Sequence, residues 1–191
     1  MDSDKTTGQT VKLNLAGIVN DSIVDGPGIR VCIFAQGCSH NCAGCHNPET
    51  HSFGTGKDYR VAELVSLIKQ NPLVKGVTFS GGDPFFQSRG FYILGKELRA
   101  MGYEVAAYTG FLWKELIEGT QDQQRLLSVL NVLVDGPFIQ ELRNLDLPFK
   151  GSINQNFIDV QKSLTRQEEG KTLFHRQPKV FERWERTFLY T

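Results

Sequence analysis

Apolar residues recur along the chain at two different periods, and the alternation between them predicts the fold. Val31, Cys32, Ile33 and Phe34 make a short continuous apolar run that stops at Gln36-Gly37, as expected of a strand covered on both faces. Val61, Leu64, Val65 and Ile68 then fall at i, i+3, i+4 and i+7, one face of a helix. Asp58 is the candidate N-cap of that helix, and Asn71-Pro72 its stop. A β-branched and aromatic run at 77–80 breaks at Gly81-Gly82, and a second helix carries Phe91, Leu94, Leu98 and Met101 on one face before Gly102 ends it. Further strands are predicted at 105–108, 132–134 and 157–160, with a short helix around Trp113, Leu116 and Ile117.

Strands alternating with helices of about ten residues mean βαβ units and a parallel sheet. About five strands are too few for a closed eight-stranded barrel, so the expected α/β fold is a partial, open β/α barrel with a mostly parallel sheet. Residues 1–14 are read as a lead-in, 15–173 as the single core domain and 174–191 as a tail. In that tail Val180, Trp184 and Phe188 fall at i, i+4 and i+8, which predicts a terminal helix packed on the core. The competing reading is a partner surface that also uses Phe181 and Tyr190. Ligands of such sheets sit beyond the C-terminal ends of the strands. The cysteine-bearing stretch 37–50, "SGGDP" at 80–84, "YTG" at 108–110 and "VDGPF" at 134–138 all fall there.

Bulk properties narrow the function by exclusion. The 191 residues are 40% hydrophobic and 22% charged, with 21 basic and 21 acidic residues for a formal net charge of zero. That balance gives no electrostatic footprint for direct nucleic-acid binding or an anionic membrane. No apolar run has the length of a membrane span, and the polar start "MDSDKTTGQT" lacks an apolar signal core. A cytoplasmic location is expected. Of the four cysteines, three lie within eight positions, too close for a disulfide framework and better suited to metal ligation in a reducing compartment.

Those three are Cys38, Cys42 and Cys45, spaced C-x3-C-x2-C. The same i, i+4, i+7 spacing would put them on one helical face, but Gly37, Ser39, Asn41 and Gly44 are poor helix formers and Pro48 ends the element. A loop wrapping a metal centre is the better reading. Zinc held by three cysteines and one of His40, His46 or His51 is one alternative. Thiolates packed this tightly suit an iron–sulfur cube better. Three ligands leave one iron open, and an open coordination position marks a catalytic rather than a structural metal. Cys32, within the first strand, is read as a buried small hydrophobe and not as a fourth ligand.

C-x3-C-x2-C with a downstream Gly-Gly-acid-Pro resembles the radical S-adenosylmethionine (SAM) enzymes. The resemblance implies a [4Fe–4S] cluster on Cys38, Cys42 and Cys45, whose open iron takes SAM and whose electron splits it to a 5′-deoxyadenosyl radical. "VDGPGIR" at 24–30 and "CHNPET" at 45–50 look like the activating enzymes of glycyl-radical enzymes. The stretch at 132–164, "VLVDGPFIQELRNLDLPFKGSINQNFIDVQKSL", is similar to the subset that activates anaerobic ribonucleotide reductase. The resemblance covers about 15–173, and the glycine at 44, where many radical SAM proteins have an aromatic, agrees with that subset.

Residue by residue, the resemblance places SAM against Gly44, Cys45 and His46, against Gly81, Gly82 and Asp83, and against Tyr108 and Thr109. Arg30, Asp135, Asn154 and Gln155 become contacts to the partner or the active-site mouth. On residue types alone, Asp83 is also a helix N-cap, Arg30 a salt-bridge arginine and Asp135-Gly136-Pro137 a turn. The implied partners are the large subunit of anaerobic ribonucleotide reductase, through a glycine-bearing loop, and a flavodoxin- or ferredoxin-like reductant. An activase for a pyruvate formate-lyase type enzyme, or a non-enzymatic iron–sulfur or zinc module, are the alternatives.

Overall fold

A computed structural model describes residues 10–164. The predicted tail at 174–191, and the end of the predicted core beyond 164, lie outside the described residues. Seven strands form one sheet: β1 (Lys12–Ser22), β2 (Arg30–Ala35), β3 (Lys57–Arg60), β4 (Gly76–Gly81), β5 (Glu104–Tyr108), β6 (Val132–Asp135) and β7 (Asn156–Asp159). Their order is β3-β1-β2-β4-β5-β6-β7. The four central strands β2, β4, β5 and β6 run parallel. β1 pairs antiparallel with β2 and β3, and β7 pairs antiparallel with β6. The fold is thus mixed α/β, with a parallel centre and antiparallel flanks.

Among the described residues five α-helices connect or follow the strands: α1 (Val61–Lys69), α2 (Ser88–Ala100), α3 (Trp113–Ile117), α4 (Gln121–Val129) and α5 (Val160–Leu164). The two strand faces are chemically different. Val31, Ile33, Val77, Phe79, Val105, Ala107 and Leu133 share one core with Leu64, Ile68, Phe91, Leu94, Leu98, Leu126 and Leu127 of the helices. The alternate residues belong to the opposite face. There Ala106, Val132, Val134 and Phe157 form a second, smaller cluster with Tyr108 and Phe149, while Arg30, Cys32, Thr78 and Ser80 supply polar groups.

Two strands escape the sequence pattern. β1 begins at Lys12, within the stretch read as lead-in, and its Leu13 and Leu15 are fully buried. β3, "KDYR", has no buried residue and exists as an edge strand on β1. Asp58 lies in that strand and accepts a hydrogen bond from Asn14 Nδ2 at 2.8 Å, so it does not cap α1. Glu63 does so instead, its carboxylate accepting from the Arg60 backbone N–H at 2.9 Å. α4 also went unpredicted, although Thr120 and Gln123 form a reciprocal capping box at its start.

The register aligns Ala35 with Gly81, Phe79 with Ala107 and Tyr108 with Val134. The loops after β2, β4, β5 and β6 therefore leave the sheet at the same end. Among the described residues no helix is long and apolar enough to cross a membrane.

Candidate cluster-binding and ligand site

The loop after β2 runs without a helix until a short 3₁₀ turn at Pro48–Thr50. Gly37, Asn41 and Gly44 have φ of 106°, 50° and 69°, left-handed values that interrupt any helical path through the cysteines. The base of the loop is fastened by Gly37 N–H donating to Thr50 O at 2.8 Å and Cys38 N–H to His51 O at 3.0 Å. Gln36 Nε2 adds a bond to Ser52 O at 2.7 Å. Cys45 N–H closes a turn onto Cys42 O at 3.1 Å. Gly44 lies close beneath Gln140, since a Cβ there would sit 2.8 Å from Gln140 Oε1.

All three loop cysteines are free and half-buried, and burial pushes the Cys38 thiol above its ordinary value. Cys32 is separate from them. It is fully buried on β2, its thiol against Asp25 and Ser80, and burial followed by the Asp25 charge pushes its pKa far up. Among the described residues no three His, Cys, Asp or Glu side chains converge as they would around one metal ion. The donor set instead fits a multi-iron cube, which takes thiolates at separate corners. Cys38, Cys42 and Cys45 are half-buried thiols on one loop, and this loop has no carboxylate among them.

A pocket of about 930 Å³ opens at this end of the sheet. It reaches the top of the range of small-molecule sites, large enough for a nucleoside-sized ligand together with a cluster. Of the residues expected to meet a ligand, Cys38, Cys42, His46, Gly81, Gly82, Tyr108, Thr109 and Gln155 line it. Gly44, Cys45, Asp83, Arg30, Asp135 and Asn154 are not part of its wall. His46 packs its ring against Phe138, with centroids 4.9 Å apart. The Tyr108 hydroxyl donates to Phe149 O at 2.8 Å, and burial raises the phenol's pKa.

Gly81 and Gly82 explain their own identity. Gly81 has φ of 93°, and a Cβ on it would lie 2.5 Å from Ala35 N; one on Gly82 would lie 2.5 Å from Gly37 O. The exit of β4 is thus pressed backbone-to-backbone against the start of the cysteine loop. Gly81→Ala is expected to cost about 3 kcal/mol or more, combining left-handed strain with overlap. Gly54→Ala, at φ of 73° with open space around it, should cost only about 1 kcal/mol. Urea-denaturation midpoints of the two variants check the difference.

Three of the expected contact residues are buried. Arg30 is 1% exposed and pairs with Glu104 Oε1 at 2.9 Å, with Nε donating to Thr78 Oγ1 at 2.8 Å. Desolvation lowers its pKa and Glu104 raises it back. It is a structural cation beneath the sheet, with no surface to offer a partner. Asp135 is also buried, its carboxylate accepting from Trp113 N–H at 2.8 Å and Asn156 Nδ2 at 2.9 Å. Asp83 is 1% exposed and its carboxylate points inward, so any ligand contact from it falls to its backbone. Asn154 Nδ2 donates to Pro137 O at 2.8 Å and Gln155 Nε2 to Gly136 O at 3.0 Å, which fastens the 136–155 loop over the pocket.

The Asp83 carboxylate joins loops that the sequence could not connect. Its Oδ1 accepts from Phe85 N–H at 2.9 Å, the cap of a 3₁₀ turn. Its Oδ2 accepts from Thr109 Oγ1 at 2.8 Å and Gly110 N–H at 3.0 Å, and lies 2.8 Å from His40 Nε2. His40 entered the sequence reading only as a candidate zinc ligand, and the 43 positions between it and Asp83 hide their pairing from any local pattern. Asp25, on the pocket wall, was also missed; the Ser22 hydroxyl donates to its carboxylate at 2.5 Å.

Comparison with known proteins gives the family. The family model described as a 4Fe-4S single cluster domain matches residues 24–158. The anaerobic ribonucleoside-triphosphate reductase-activating protein of Escherichia coli (strain K12) is 33% identical over 141 residues, covering 70% of this chain and 90% of its own length. The protein of that name from Vibrio cholerae is 34% identical over 141 residues, covering 70% and 89%. The one from Enterobacteria phage T4 is 29% identical over 150 residues, covering 75% and 92%. Among solved structures, QueE from Escherichia coli shares the fold at a TM-score of 0.50 and 14% identity, over 71% of this chain and 76% of that one. With the cysteine loop, the double glycine and the matching relatives in agreement, the chain belongs to the 4Fe-4S single cluster domain family and, within it, to the anaerobic ribonucleoside-triphosphate reductase-activating proteins.

Proposed function

We propose that the chain activates an anaerobic ribonucleoside-triphosphate reductase by reductive cleavage of SAM, placing a glycyl radical on that enzyme. The observation that carries this reading is a loop with three free cysteines and no fourth, bordering a pocket that the Gly81-Gly82 backbone also lines. Cys38, Cys42 and Cys45 would hold one [4Fe–4S] cluster. Bound there, the cluster would supply the electron that breaks the sulfonium bond of SAM.

The chain's own residues bind, orient and exclude water. The backbone at Gly81 and Gly82 carries no side chain and lets the amino-acid end of SAM approach closely. His46 flanks the same space, and Tyr108 and Thr109 offer a wall for the adenosine. No general base is required, because the proposed chemistry removes a hydrogen atom and not a proton.

The glycine-bearing segment of the reductase would enter at the pocket mouth. Ile23, Val24 and Leu145 stand there 70%, 73% and 81% exposed, apolar groups with a partner's chain to cover them. A curled sheet of the partial-barrel type would leave that side open. The electron would come from a flavodoxin- or ferredoxin-like reductant in the cytoplasm.

The test is anaerobic. The chain is reconstituted with iron and sulfide, reduced and given SAM, and 5′-deoxyadenosine is measured by chromatography. Deoxyadenosine is expected, and with the reductase present a glycyl-radical signal should follow in electron paramagnetic resonance. A fully loaded, reduced protein that makes no deoxyadenosine would overturn the reading.

A further inference from the structure

We infer that His40 is a positioning residue, whose bond to Asp83 sets the cysteine loop against the loops that follow β4 and β5. The inference rests on the SAM reading above and goes beyond it: His40 lines the same pocket, but that reading uses it neither as a cluster ligand nor as a SAM contact.

The geometry is specific. A carboxylate accepts only, so at 2.8 Å the imidazole donates from Nε2 to Asp83 Oδ2. That oxygen also takes the Thr109 hydroxyl and the Gly110 N–H. One buried atom thus ties three separate loops together, and His40 is the strand of the tie that reaches between Cys38 and Cys42. The ring packs against a pair of touching phenyl rings, Phe111 at a centroid distance of 4.6 Å and Phe86 at 5.5 Å, themselves 5.4 Å apart. Gly110 makes room for it, because a Cβ there would lie 2.4 Å from His40 Cδ2.

The backbone bonds at Gly37 and Cys38 fasten only the base of the cysteine loop. Its far part, where the second and third thiols stand, is tied through His40 to the same Asp83 whose backbone N–H donates to Gly37 O at 3.0 Å. Without the imidazole bond, the start of the loop stays packed on Gly81-Gly82, but the part that carries Cys42 and Cys45 loses its fixed separation from that wall. A ligand that must touch both sides then binds more weakly, by the tenfold to hundredfold common for residues that orient metal ligands, an order-of-magnitude expectation of about that size.

The experiment compares His40→Leu, which keeps bulk and removes the donor, with His40→Gln, which returns an N–H at similar reach. In the cluster-free protein, amide hydrogen exchange at Cys45, in the far part of the loop, is expected to speed up in His40→Leu and to stay slow in His40→Gln. In the reconstituted, reduced protein, His40→Leu should keep its iron complement. It should need about ten times more SAM, or more, to change the cluster's paramagnetic spectrum, and His40→Gln should recover most of that loss. Unchanged exchange and an unchanged SAM response in His40→Leu would overturn the inference. So would loss of iron in His40→Leu, which would make His40 a ligand or a folding residue, or equal failure of both variants, which would assign the effect to ring packing. If the wild-type spectrum ignores SAM, the functional reading fails, and the exchange comparison on the cluster-free protein still decides the role of His40.

Discussion

Alanine at Cys38, Cys42 or Cys45 is expected to reduce SAM cleavage by more than about a hundredfold, beyond the range seen when residues behind metal ligands are lost. Each thiol would occupy one corner of the cluster, and a cube with two protein ligands is held too loosely to survive reduction and ligand binding. The companion expectation concerns Cys32. It is the fourth cysteine of the chain, but it lies inside β2 with its thiol against Asp25 and Ser80, so Cys32→Ala should keep the full iron complement. Iron and sulfide analysis after anaerobic reconstitution, with the spectrum of the reduced protein, separates the two classes. A Cys32→Ala protein that loses iron while a loop variant keeps it would reassign the ligand set.

Arg30→Ala is expected to destabilise the fold by about 3–5 kcal/mol, the range for removing one member of a buried pair. Glu104 would lose a 2.9 Å bond, while Thr78 Oγ1 and the carbonyls of Val77 and Glu104 would lose donors. For a domain of this size each kcal/mol moves the melting midpoint by about 2–4 °C, so a fall of roughly 6–20 °C should be seen in thermal unfolding. Arg30→Lys should recover little, because the single ammonium cannot reproduce the planar fork that serves several acceptors. The same measurement judges the sequence reading of Arg30 as a partner contact. A variant as stable as wild type, yet defective only with the reductase present, would restore that reading.

Arg30 illustrates where reading the sequence stops. In "VDGPGIR" it sits beside a turn, and nothing local distinguishes a surface arginine from one folded under the sheet. Only the β2–β4 pairing, which sets Arg30 opposite Gly76, and the absence of a side chain at Gly76, where a Cβ would meet the guanidinium at 2.5 Å, give it a buried place. Asp83 and Asp135 follow the same rule. Both stand next to glycine and proline, where turn and ligand roles share one composition, and the structure gives their carboxylates to backbone N–H groups and neighbouring side chains instead.

The predicted strands at 31–34, 77–80, 105–108, 132–134 and 157–160 all have counterparts in β2 and β4–β7, because each carries enough apolar residues in a short run to be unambiguous. β1 and β3 were hidden for the opposite reason. β1 mixes Leu13 and Leu15 with Asn14, Gly17 and Asn20, and β3 is polar apart from Tyr59. Their strand state comes from pairing with each other and, for β1, with β2. Edge strands satisfy their backbones through neighbours and need no apolar signature of their own.

What the sequence determined by itself was local. The spacing of Cys38, Cys42 and Cys45, the double glycine after a strand and the helix periods each depend on residues a few positions apart, where covalent geometry and propensity decide the outcome. What only the tertiary structure decided was which distant groups meet: His40 with Asp83 and Arg30 with Glu104. Those pairings depend on strand order and register, which arise from the burial of the whole sheet and not from any segment of it.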